Sequence, residues 1–139
     1  MNLSRFLKEN KEQAETTTYK LDFFKGDEKP ELVLKPITTK ENNALVRACT
    51  HEKQVVGKPG QFTEEVDKVK YASMLAAACV VEPDLYSAEL QDSYGVSKPE
   101  DLIVEIFDSP GEWGKFFEVI NKINGFDKNI NDDIKTAKN

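Results

Sequence analysis

The strongest constraint on the fold is the run from Tyr71 to Val81, eleven positions without a formal charge, closely followed by Pro83. As a helix it would be roughly 16 Å long, at about 1.5 Å per residue. A bilayer span needs about 20 apolar residues, so this run reads as a helix buried in a protein core. Asp67 is placed to cap it, and Tyr71, Met74, Leu75, Ala78, Cys79, Val80 and Val81 supply its apolar positions. At 100° per residue the last two turns are apolar all round. That predicts a central helix buried on every side, with Pro83 stopping it.

The segments around it divide by period. "TTTYKLDFF" alternates Tyr19, Leu21 and Phe23 onto one face, and "ELVLKPI" does the same with Leu32 and Leu34. The break "KGDEKP" between them makes this an N-terminal β-hairpin, with Pro36 at a strand end or edge. Leu3, Phe6 and Leu7 mark a short N-terminal helix with Asn2 as its cap. Thr38 and Glu41 form a capping box that opens a helix through about Cys49, with Ala44, Leu45, Ala48 and Cys49 facing inward. "HEKQVVGKPGQFTEE" reads either as a short second hairpin or as an ordered loop.

Ser87 opens a further helix that Gly95 can close in the left-handed conformation. Ser97 with Glu100 and Ser109 with Glu112 read as two more capping boxes, each with proline in the first turn. The helices they open carry Leu102, Ile103, Val104, Ile106 and Phe107, then Trp113, Phe116, Phe117, Ile120 and Ile123, ending at Gly125. The predicted class is therefore α+β, mainly α. Five to six helices are joined to an N-terminal hairpin in one domain over residues 1–126, and residues 127–139 form a polar, flexible tail.

Charge and composition narrow the function. With 39% apolar and 32% charged residues, 139 residues can build one real core. The formal charge of −6 argues against free nucleic-acid binding, because Lys68 and Lys70 sit among Glu64, Glu65 and Asp67 and leave no positive face. "MNLSRFLKEN" lacks the apolar core of a signal peptide, and two cysteines make no disulfide framework. The expected setting is a reducing cytoplasm, away from membranes.

Candidate chemistry is thin. Cys49 and His51 lie two residues apart, about 200° around a helix, which does not build a nucleophile and base pair. Cys49, His51 and Cys79 lack both a fourth ligand and the paired spacings of a zinc site. "DKNIND" begins like a calcium loop at Asp127, Asn129 and Asn131, but Asp132 stands where glycine is needed and Lys138 where glutamate is needed. "GKPG" is too short for a phosphate cradle, and Asp84, Glu89 and Asp92 read as solvated carboxylates. No catalytic residue, metal or cofactor is expected.

One feature exceeds the needs of a simple core. Leu102, Ile103, Val104, Ile106 and Phe107 sweep about 200° of their helix. Either the helix is sandwiched inside the domain or one flank is left for a partner. The first reading is preferred, since large exposed apolar patches are uncommon in monomers. Phe126, Ile130 and Ile134 also fall at i, i+4 and i+8, a thin stripe in a short polar tail.

"KPGQFTEEVDKVKYASMLAAACVV", "PDLYSAELQDSYGV", "PGEW" and "INGFD" together resemble the XkdN-like phage tail assembly chaperones. The resemblance runs from "FLKEN" to about Asp127, and "AELQDSYGV" is its most specific block. It implies a non-enzymatic chaperone that keeps the tape-measure protein soluble in the host cytoplasm. Tail-tube subunits would then displace it, leaving it absent from the mature virion. The alternative is a structural tail or connector component that stays in the particle. The partner-binding residues expected on this reading are Ile103 and Phe107 on a spare flank, with Leu90 and Tyr94 on the preceding helix.

Overall fold

The computed structural model describes residues 1–126. The expectations for the tail after Phe126, including Ile130, Ile134 and the failed calcium loop, lie outside the described residues. Strands β1 (Thr17–Lys20) and β2 (Glu31–Leu34) form the predicted antiparallel hairpin. Helix α1 (Thr39–Cys49) leads into β3 (Thr50–Gln54) and β4 (Phe62–Val66), a second hairpin. Helix α2 (Lys68–Cys79), strand β5 (Val80–Glu82), α3 (Ala88–Tyr94), α4 (Pro99–Ile106) and α5 (Pro110–Ile123) follow. Over the described residues the fold is α+β and mainly α, with five α-helices and the N-terminal hairpin in place.

The end of the apolar run departs from expectation. Val80 and Val81 are strand, not helix: β5 pairs antiparallel with β2, so the sheet has three strands in the order β1-β2-β5. The Lys35 amide donates to the Cys79 carbonyl at 2.8 Å, fastening the helix end to the sheet. β-branched residues fit a pleated edge better than a last helical turn. Pro83 therefore ends a strand rather than α2. Nor is α2 buried all round: Leu75, Ala76 and Cys79 are enclosed, while Val69 is 82% exposed and Ala78 faces solvent.

Local chemistry explains most other boundaries. Thr38 and Glu41 make the reciprocal capping box at 3.1 Å in each direction. On α1, however, Leu45, Val46 and Cys49 turn inward while Ala44 and Ala48 are exposed, because the larger side chains claim the buried face. The second and third boxes do not form. Pro99 forces its predecessor into an extended conformation, making Lys98 the N-cap (φ −135°, ψ 145°) and leaving Ser97 one residue too early. Ser109 is the N-cap of α5, but Glu112 pairs forward with Lys115 at 3.7 Å. Leu21 and Phe23 miss the strand as well: β1 ends at Lys20, Leu21 is buried just beyond it, and Phe23 lies in the turn with its ring 5.4 Å from Phe107. The N-terminal residues form two single-turn 3₁₀ helices, the first capped by Asn2, with Leu3, Phe6 and Leu7 exposed.

The core lies between the sheet and helices α2, α4 and α5. Leu32 and Leu34 of β2 meet Leu75, Ala76 and Cys79 of α2, Leu102, Ile103 and Ile106 of α4, and Phe116 and Ile120 of α5. Phe107 stacks on Phe116 with ring centroids 4.2 Å apart, and Tyr19 meets both rings edge-on. The β3–β4 hairpin stands outside this core, with almost every residue exposed. Gly57 and Gly60 turn its loop at φ 77° and 81°, where an L side chain would be strained.

Candidate functional site

Helices α2 and α4 pack against each other, and residues of both line an open groove of about 1100 Å³. One wall is the solvent face of α2, with Lys68, Val69, Ala72 and Ser73. The other is the face of α4 turned away from the core, with Glu100, Asp101, Val104 and Glu105, continued by Asp108. Val96, Phe107, Pro110 and Trp113 also line it. Small residues keep it open, since Ala72, Ser73 and Gly95 bring no bulk to fill it. Its apolar surface is real exposure: Val104 is 42% accessible and Val69 almost fully so.

The four residues expected to bind a partner are placed very differently. Ile103 is wholly enclosed and Phe107 is 3% exposed, so the spare flank of α4 is not theirs. The reason is register: Leu102, Ile103, Ile106 and Phe107 all face the core, and Val104 alone among the apolar positions of α4 falls on the open side. Phe107 contributes to the groove only through what the aromatic cluster leaves uncovered. Leu90 and Tyr94 are half-buried and pack α3 against the core. They hold the Gly95–Ser97 connection that borders the groove, without lining it themselves.

Sequence reading missed Val69, Val104, Trp113 and the acidic rim as one surface. A signal existed in the spacing: Asp101, Glu105 and Asp108 repeat at i, i+4 and i+7 beside Val104. Val69 stands between two lysines just after a cap. What was missing is the pairing of α2 with α4, which juxtaposes the two faces.

The thiols and the histidine do not converge. Cys49 is buried, its Sγ donating to Met74 Sδ at 3.5 Å, whereas His51 is exposed on β3 opposite Glu65. Burial pushes the Cys49 thiol up, with nearby Lys70 opposing it only in part. Burial likewise raises Cys79, against a hydrogen bond from Asn124. Raised thiols are poor nucleophiles at neutral pH. Among the described residues no group of three His, Cys, Asp or Glu could hold a metal ion, and no helix is long and apolar enough to cross a membrane.

The family described as the phage XkdN-like tail assembly chaperone proteins matches this sequence over residues 3–138. The chain belongs to that family. Two curated relatives of this chain, both from Bacillus subtilis (strain 168), align over 107 residues. Phage-like element PBSX protein XkdN is 29% identical, covering 77% of this chain and 71% of its own. The uncharacterized protein YqbN is 28% identical, covering 77% and 70%. A crystal structure of YqbN superposes with a TM-score of 0.72 at 20% identity, over 91% of this chain and 98% of that one, so the fold is shared.

Proposed function

We propose that this tail assembly chaperone is non-enzymatic, and that it binds the tape-measure protein in the host cytoplasm and keeps it soluble until tail-tube subunits displace it. The observation that carries this reading is the α2–α4 groove, an open apolar surface on a chain whose family assembles phage tails. A long helical client with apolar stripes aggregates unless those stripes are covered, and an amphipathic groove covers them. The formal charge of −6 helps keep the complex dispersed. Two deactivated thiols and a distant histidine support a role without bond-making.

Of the expected binding residues, Phe107 belongs to the groove directly. Leu90, Tyr94 and Ile103 act by holding α3 and α4 in place. Co-expression with the tape-measure gene of the same phage tests the reading: the client moves to the soluble fraction with the chaperone and pellets without it. Mass spectrometry of purified particles supplies the second arm. Recovery at full copy number would make the protein a structural component instead.

A further inference from the structure

We propose that the α2–α4 groove accepts an amphipathic helix whose apolar stripe is flanked by lysine or arginine. This rests on the chaperone reading and specifies which client segment the site selects. Three observations lead to it. Among the described residues the groove is lined by helices and their connections and by no strand residue, so it offers no strand edge for pairing. An extended segment laid there would leave its own N–H and C=O groups unsatisfied, whereas a helix brings its backbone bonds with it. The eight residues of α4 span about 12 Å, matching two to three turns of a partner with anchors at i, i+3 or i+4 and i+7.

Charge sets the flanks. Among the described residues that line the groove, Glu100, Asp101, Glu105 and Asp108 border the apolar strip against a single cation, Lys68. Among the described residues none of these four carboxylates is in a salt bridge. They lie within one Debye length of anything seated between the helices, so an acidic helix is repelled and a basic one paired. Val69, Val104 and Trp113 supply the apolar contact, and the rim chiefly supplies discrimination and encounter rate.

Trp113 is the chain's sole tryptophan and lines the groove, so its emission reports occupancy. The probes are three 18-residue synthetic helical peptides. One has a leucine stripe with lysine flanks, one the same stripe with glutamate flanks, and one the lysine peptide with its leucines scrambled. The lysine peptide should bind at least about tenfold tighter than either other at low salt, with the margin over the glutamate peptide shrinking as salt rises. Val104→Asp should weaken it about tenfold. Glu105→Lys/Asp108→Lys should erase the charge preference. Glu31→Lys/Glu82→Lys carries the same change in net charge on the exposed sheet and should leave binding within about twofold.

Equal binding of the lysine and glutamate peptides would overturn the proposal. Equal loss in the rim and sheet variants would do so too, since it would reveal only a general field. Retained binding of the scrambled peptide would remove the apolar strip from the account. Concentration-dependent self-association abolished by Val104→Asp would assign the groove to a second copy. The functional reading is tested separately. If wild-type protein solubilises the tape measure and the groove variants do so equally well, the groove assignment fails and the chaperone stands. If wild-type protein does not solubilise it, the chaperone reading itself fails.

Discussion

The side chain of Asn124 accepts the backbone amide of Ile37 at 3.0 Å, joining positions 87 residues apart. Its amide nitrogen donates to the Ile120 carbonyl at 2.8 Å and to Cys79 Sγ at 3.4 Å. One residue thus ties the β2–α1 connection, the end of α2 and the end of α5 together. Asn124→Ala leaves the half-buried Ile37 amide without its acceptor, at a cost of about 1–3 kcal/mol. Urea unfolding should show a lower midpoint with an unchanged slope. A midpoint within error of wild type would mean that water or a shifted neighbour replaces the bond.

Cys79 makes stability fall in alkali. Its folded thiol is raised above the ordinary value of 9.0 by burial, more than the Asn124 hydrogen bond lowers it. Above the unfolded pKa the unfolded chain holds fewer protons than the folded one, so unfolding becomes easier as pH rises. This contribution is fully present below about pH 8 and is lost as pH climbs through the folded pKa. Melting temperature should therefore fall less steeply above pH 9 in Cys79→Ala than in the parent, despite a lower starting point. Parallel curves would remove the thiol from the explanation.

Adjacent residues on α4 should differ sharply. Ile103 is fully buried, so Ile103→Ala removes packed volume and costs about 2–5 kcal/mol. Val104 faces the groove, and Val104→Ala should change stability by no more than about 0.5 kcal/mol. Chemical denaturation of the two variants side by side checks the register of the helix.

Capping offers a similar contrast. Thr38→Ala breaks a reciprocal box and should cost about 1 kcal/mol. Ser97→Ala should be close to neutral, because Lys98 holds the N-cap and no side chain caps α4. Comparable losses at both sites would mean that Ser97 has a partner beyond the helix end.

The sequence alone determined the elements whose causes are local. Asp67, Thr38, Ser87 and Gly95 mark helix ends through hydrogen bonds or dihedral preferences acting within a few residues. Tyr19, Leu32 and Leu34 betray the hairpin by their period. Tertiary structure decided the rest. Val80 and Val81 read as helix because nothing nearby says otherwise, and they become strand because β2 offers a ladder 46 residues away. Ile103 and Val104 look alike as sequence, and only the packing of α4 against α2 and α3 buries one and leaves the other open. The groove is a property of two helices at once: each face is ordinary by itself, and the apolar strip with its acidic border exists only where the core brings them together.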